Sequence, residues 1–466
     1  MTGSELLILL FPAALAILLL ALFSLEHLLL LTLFLTPLSL QLSYLTGGTG
    51  IDLSIPTEPV LALLLMVTLF KLLVTREFPS GILRHPMTIL VGLYLIWTLI
   101  TSLTSTMPGV SFKTLAYRLW FTAGFYLLAA QLASGERFRR RYVTAYSAGL
   151  AIVVIYFIVR VQGAGFLNQQ FAHSACYPFY RDHTSFGASM AFLLPPLTVI
   201  MLRKDNGLMA KVLLFSLLLL FVAGFILSYS RAAWVSLIAA ALLGFILWIR
   251  MPVRVLWFAA AGFILALVLS AGWIWQRMDS TTEDSSADLS QHLRSAANIS
   301  TDQSNLERIN RWKCALRMFT VKPVVGWGPG TYQFNYAPFQ KASEKTVIST
   351  DFGDAGNAHS EYLGALSESG LPGALLFLII TVTAVITGIR VWYRGRRGRE
   401  GIFVLTLLTG LITYAVHGLM NSFLDSDKIA ALWWGFIAIL VAMDLEIKRS
   451  PEEDQGGSTK ATPSQG

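Results

Sequence analysis

The sequence predicts an all-α polytopic membrane protein with 12–13 transmembrane helices and one large outer loop of short helices. Three observations lead there. Hydrophobic residues make up 55% of the 466 and charged residues 13%, a balance at which a water-soluble fold would expose far too much apolar surface. The apolar residues lie in long runs, unbroken through Leu213–Leu227 and Ala259–Leu269, whereas a membrane β-barrel needs alternating strands of about ten residues. Only between Gly272 and Leu371 does the chain stop being oily for long.

Apolar segments lie near 6–23, 28–45, 58–74, 88–105, 115–132, 143–161, 184–202, 211–228, 232–249, 254–272, 371–390, 402–419 and 429–446. Each is long enough to cross a hydrocarbon core about 30 Å thick. Met1–Glu5 lacks a basic leader and Leu6–Phe23 lacks a small-residue cleavage site, so the first segment reads as a retained span. Thirteen spans put the N-terminus outside. A single crossing within Leu6–Leu45 gives twelve, with both termini inside.

Every second connector is basic. Lys71–His85, Glu136–Arg141, Arg203–Lys211, Arg250–Arg254 and Arg390–Arg399 hold most of the interhelical Lys and Arg, and such loops belong in the cytoplasm. The formal charge of +8 is therefore an orientation signal rather than a nucleic-acid footprint. The expected organisation is ten spans over 1–272, a loop over 273–370, three spans over 371–446, and a disordered cytoplasmic tail over 447–466. No internal repeat is visible, which disfavours transporters built from inverted repeats. Cys176 and Cys314 fit no metal or redox pattern; both fall in outer segments, where a disulfide is an option.

The outer segments carry the chemistry. In Ser228-Tyr229-Ser230-Arg231-Ala232-Ala233-Trp234, Ser230 can cap the following helix and Arg231 sits in its first turn. A cation there opposes the helix dipole unless an anion binds, and exposed N–H groups with a guanidinium make a phosphate site. The plainer alternative is an arginine snorkelling to the interface. In Asn305–Thr320, Leu306, Ile309, Trp312, Leu316 and Phe319 recur at helical spacing, so an amphipathic helix on the membrane face is expected. Glu307 and Arg311 form an i,i+4 pair, which gives Arg311 a surface explanation. Arg308 has no such partner and is the better anion-binding candidate, although both arginines could simply be solvated.

Pro323–Gly330 is a rigid turn rather than a nucleotide loop, because no Lys-Ser/Thr follows it. It reads as scaffold for the arginine helix. At His359–Gly373, Ser360 can cap a short helix, Gly370 can stop it, and Pro372 can begin the next span. His359 then precedes a helix N-terminus, whose dipole disfavours the imidazolium and leaves a ring able to accept a proton. Arg181-Asp182-His183 and Asn421, Asp425 and Asp427 lie at span ends on the same side. Arg181, His183, Ser230, Asp425 and Asp427 are possible site-lining residues. No His or carboxylate spacing suits a metal, so none is expected.

These residues resemble a known family. His359-Ser360, nine residues, then Gly370-x-x-Gly373 looks like the periplasmic-loop motif of O-antigen ligases, H-[N/S/Q]-x9-G-x-x-[G/T/Y]. The Ser-Arg-Ala-Ala-Trp turn, the Arg308-x-x-x-Trp312 helix and the P-x-x-G-x-G-P-G run are similar to the same superfamily of ligases and polysaccharide polymerases. The resemblance covers roughly residues 180–445. It implies a GT-C-like glycosyltransferase architecture in the bacterial inner membrane, with its site on the periplasmic face.

The same resemblance implies a metal-independent enzyme, without cofactor, that takes polysaccharide from undecaprenyl pyrophosphate. A ligase passes the glycan to a sugar hydroxyl of lipid A–core, and a polymerase passes it to the next lipid-linked repeat. His359 resembles the essential histidine and Arg231 and Arg308 the essential arginines, with Arg311 the alternative to Arg308. The polar stretch Asp279–Ser304 matches no part of the pattern. The function expected is a glycan transferase of the O-antigen ligase type. A polymerase is the first alternative and a small-anion, bicarbonate-like transporter the more distant one. A transporter would carry charges or helix breaks mid-span, whereas here charges cluster at outer ends and Pro195-Pro196 is the main intramembrane break.

Overall fold

The computed structural model describes residues 3–45, 53–76, 78–252, 254–255, 299–350, 356–395 and 398–457. Among them the fold is all-α. The strand pair Leu40–Gln41 (β1) and Ser54–Ile55 (β2) is antiparallel, with Leu40 opposite Ile55. Nine helices among the described residues are long and apolar enough to cross a membrane: Thr57–Thr75, Pro86–Leu103, Glu136–Ala164, His183–Met201, Leu208–Leu227, Arg231–Trp248, Glu361–Arg394, Arg399–His417 and Asp427–Lys448. Each matches a segment expected from the sequence, and the chain is a polytopic membrane protein.

The remaining four expected spans differ. The first is helical over Gly3–Phe23 (α1). The second is not one crossing. Its helix, Leu25–Leu35 (α2), gives way to a 3-10 turn at Thr36–Leu38 and then to β1. Pro37 cannot supply an N–H to an α-helix, and the hydroxyls of Thr36 and Ser39 turn back to the carbonyls of Thr32 and Thr36. The segment at 115–132 is helical from Pro108 (α5) to Leu132 but contains Arg118, and it is not among the nine. The expected span at 254–272 lies outside the described residues, as does most of Asp279–Ser304.

In chain order the other principal helices are Thr57–Phe70 (α3), Pro86–Leu103 (α4), Glu136–Ala164 (α6), Gln169–Ala175 (α7), His183–Met201 (α8), Leu208–Leu227 (α9), Arg231–Trp248 (α10), Ile299–Val321 (α11), Glu361–Arg394 (α12), Arg399–His417 (α13) and Asp427–Gly457 (α14). Helix α14 is the axis of the bundle. Of its apolar window 89% is buried, against 17% for α9, so α9 keeps its leucines for lipid. Tyr142 on α6 ties to the axis through its hydroxyl, which donates to the carbonyl of Ala431 at 2.7 Å. Pro195 and Pro196 do not break α8, which runs through both. Helix α14 continues to Gly457, into the tail read from sequence as disordered; residues 458–466 lie outside the described part.

The basic connectors meet at one end of the bundle. Arg139 donates to Glu400 at 3.1 Å and also pairs with Glu446. Arg140 and Arg203 share Asp205, and Asp444 collects His85, Arg390 and Lys448. The outer loop residues gather at the opposite end.

Cys176 and Cys314 are both buried, free thiols, and burial pushes each up to about 12. No disulfide joins them.

Candidate functional site

The loop packs a small core of its own, in which Cys314, Ala315 and Met318 of α11 meet Tyr332, Tyr336 and Ala358. The amphipathic stripe expected on α11 is not its buried face. Leu306, Ile309, Trp312, Leu316 and Phe319 are half-buried, while Glu307, Asn310 and Arg311 are buried. The reason is pairing. Arg311 Nε donates to Glu307 Oε1 at 2.6 Å, its Nη2 donates to Thr350 at 3.2 Å, and its guanidinium lies 3.8 Å over the Tyr336 ring. Glu307 also accepts from Thr346 at 3.0 Å. A charge pair satisfied this fully can leave water. The i,i+4 pair read from the sequence therefore forms, but as an internal strut rather than on a surface.

The Pro323–Gly330 run clamps α11 to the start of α12. The N–H groups of Trp327 and Gly328 donate to the carbonyls of Ser367 and Glu368, at 3.1 and 2.8 Å, and that of Leu371 donates to the carbonyl of Pro323 at 2.8 Å. Gly370 has φ +66°, which separates a short helix from the long span after it. A Cβ there would fall 2.0 Å from the carbonyl oxygen of Val324. Only glycine meets both demands.

His359 sits where this assembly meets the bundle. Its backbone is left-handed, φ +48°, a conformation a non-glycine residue holds only when its surroundings fix it. The Asn357 side chain accepts its N–H at 2.9 Å, and its carbonyl accepts the indole N–H of Trp312 at 3.0 Å. Ser360 caps the helix that follows, accepting from Leu363 at 3.4 Å. Burial first, then the positive charges of Arg308 and Arg311, push the imidazole from 6.5 down to about 4. The ring is thus neutral at pH 7, as expected, but the leading cause is desolvation rather than a helix dipole.

Around it lie groups from four elements. Asp182 caps α8, accepting from the Thr184 N–H at 2.7 Å and facing His183 Nδ1 at 3.4 Å. The His183 ring stacks on His173 with centroids 3.9 Å apart. Asp182 is within electrostatic reach of His359, Arg308 and His417. Arg308 donates through Nη1 to Asn305 at 3.1 Å, while its Nε is buried with no partner among the described residues. Burial disfavours its charged form and Asp182 offsets this.

Ser230, fully buried, caps α10 by accepting from the Ala233 N–H at 3.3 Å. Arg231 is the exposed first residue of that helix. This turn is pressed on α8 one turn beyond His183, since a Cβ on Gly187 would lie 2.9 Å from Ser230 Cβ. Arg231, Arg308, His183 and His359 therefore share the loop end of the bundle.

The other expected lining residues stand apart from the histidine ring. Asp425 makes a two-pronged pair with Arg118, 2.9 Å on each arm. Asp427 is buried, accepts from Ser39 at 2.6 Å and lies 3.5 Å from Lys428 Nζ. The carboxylates that act most on His359 are Asp182 and Glu307. Arg181 and Asp425 instead line a cavity of about 400 Å³, together with Lys113, Arg118, Asn357 and Glu361. Sequence reasoning singled out neither Lys113 nor Arg118. The available signal was a lone arginine within the apolar segment 115–132, since an ionisable residue in a span marks function by default.

Residues 215–378 match the O-antigen ligase family. The match contains Arg231, Arg308, Arg311 and the His359–Gly373 motif, and this part of the chain is similar to that family. No curated protein matches the chain.

Proposed function

We propose, from a multi-pass membrane protein that carries an O-antigen ligase domain, that the chain is a bacterial inner-membrane transferase. It moves glycan from undecaprenyl pyrophosphate to a sugar hydroxyl of lipid A–core, at the periplasmic face. The observation that carries this reading is the pairing of a neutral, half-buried imidazole at His359 with the Arg308 guanidinium, whose Nε has no partner among the described residues.

His359 takes the proton of the acceptor hydroxyl. The acceptor oxygen bonds to the anomeric carbon as the bond from that carbon to the diphosphate oxygen breaks. The electron pair leaves with undecaprenyl pyrophosphate, and the anomeric configuration inverts. Arg308 and Arg231 offset the charge that develops on the leaving group, and Arg311 keeps α11 in place. A ring held near 4 is a weak base. The incoming diphosphate offsets the two guanidinium charges and raises its basicity, so the donor prepares the base that the acceptor needs.

The test is His359→Ala in membranes supplied with lipid-linked donor. Normal insertion with transfer abolished is expected, and retained transfer removes His359 from the reaction. Deleting the protein in its host separates the two kinds of transferase. Accumulating lipid-linked polymer with bare lipid A–core fits the ligase, and accumulating single repeats would make it a polymerase.

A further inference from the structure

His359 is gripped on both flanks by one element. On one side the Asn357 amide donates to the carbonyl of Ser422 at 2.7 Å. On the other the Glu361 N–H donates to the carbonyl of Gly418 at 2.8 Å. Both acceptors belong to residues 418–426, the connector from α13 to α14. The Glu361 side chain extends the second grip. Its Oε1 accepts from the Tyr414 hydroxyl at 2.5 Å and from the N–H groups of Phe423 and Leu424 at 2.7 and 2.9 Å, and its Oε2 accepts from the Ser422 hydroxyl at 3.1 Å. These four donors, with no ion pair among the described residues, balance the carboxylate. Such charge-assisted bonds are the short, strong ones, and the first turn of α12 is where a helix dipole favours an acid.

The grip matters because of the backbone between its two ends. Residues 357 and 361 lie two positions either side of His359, whose φ of +48° persists only while its surroundings over-determine it. Releasing one end lets the imidazole move. The same connector also meets the arginine turn. His417, the buried last residue of α13, has Nε2 3.2 Å from Nδ2 of Asn421 in the connector. Its ring faces the backbone of Ala232, the residue after Arg231. Histidine loop and arginine turn are thus referred to one piece of chain, and Glu361 is the side chain that locks the loop to it.

We infer that Glu361 is a positioning residue: by closing the connector onto the start of α12 it holds the His359 ring in register with the Arg231 turn, and it exchanges no proton with substrate. The inference rests on the transferase reading.

The test uses the full chain in lipid nanodiscs, with steady-state kinetics on lipid-linked donor and histidine-selective NMR, the His359 ring signal being the one lost in His359→Ala. Glu361→Ala is expected to lower kcat about 100-fold, because small misplacements are costly in a positioned reaction. It should also displace the His359 signal and leave the KM of donor and acceptor unchanged. Glu361→Gln keeps an oxygen for the donors on Oε1 and should restore most of both losses. Tyr414→Phe removes one donor and keeps the carboxylate; it should move the signal the same way with a smaller fall in kcat, and it decides the matter where Glu361→Ala does not insert. An unmoved signal and unchanged kcat in these variants overturn the inference. So does a Glu361→Gln as inactive as Glu361→Ala with its His359 signal in the wild-type place, since that gives Glu361 a proton to transfer. A rise in KM alone overturns it too, by making Glu361 a substrate contact. A displaced signal in the variants, with a wild type that transfers no glycan, would leave the clasp standing and sink the transferase reading.

Discussion

The indole N–H of Trp312 donates to the carbonyl of His359 at 3.0 Å. One hydrogen bond thus links the helix that bears Arg308 to the residue whose ring it depresses, 47 positions along the chain. Removing it in Trp312→Phe loses about 1 kcal/mol of direct interaction and frees the backbone of His359 to leave its left-handed well. Turnover is expected to fall on the order of tenfold, because small misplacements are costly in a positioned reaction, with the donor KM little changed. Steady-state kinetics at saturating donor check this, and an unaltered kcat would show that the bond has no positioning role.

Arg308→Gln should raise the acid limit of His359 from about 4 toward its ordinary value, because that guanidinium is the second cause of the depression after burial. The direction of the linked stability follows. As pH falls from about 6.5 through about 4, the unfolded chain takes up a proton that folded His359 refuses, so the fold loses stability across that window. The loss should be smaller in Arg308→Gln. Histidine-selective NMR titration of the donor-free protein reads the shift directly, and an unmoved midpoint would mean that Arg308 does not act on the ring.

Glu307→Ala removes the carboxylate that pairs with the buried Arg311 guanidinium. Breaking a buried pair from one side costs about 3–5 kcal/mol, and the loop should become sensitive to protease while the spans stay inserted. Glu307→Gln keeps an acceptor for Thr346 and should fall between it and the wild type. Limited proteolysis in nanodiscs measures the order, and equal cleavage of all three forms would contradict the strut.

Gly370→Ala combines φ +66° with a contact at 2.0 Å. The backbone conformation alone costs about 1–3 kcal/mol for a residue with a Cβ, and the collision adds to it. A sharply lower thermal midpoint is expected. Gly364→Ala is the control, because the nearest atom to its Cβ is 3.7 Å away and alanine favours a helix. A Gly370→Ala midpoint no lower than that of the control would show that the seam yields.

The sequence disclosed what depends on composition and short spacing. Long apolar runs announce their helices, because nothing else satisfies a backbone in lipid. The Ser360 cap, the Gly370 stop and the short helix between them are local chemistry, and the structure forms them as read. What escaped was pairing across distance. The Arg118–Asp425 fork joins residues 307 positions apart, and no local pattern records it. The break after Leu35 escaped for a different reason. Leu28–Leu45 is apolar enough to span, but hydropathy does not register a proline and two hydroxyls that reverse the chain. The buried face of α11 was missed because periodicity counts charged residues as outward-facing, and here partners bring them in.

The union of the Pro323–Gly330 run with Ser367–Leu371 is made from amide and carbonyl groups alone. Peptide groups are the same in every residue, so that junction is indifferent to most side chains on either strand and demanding only of its glycines. A change of side chain at most of these positions therefore leaves α11 joined to the start of α12.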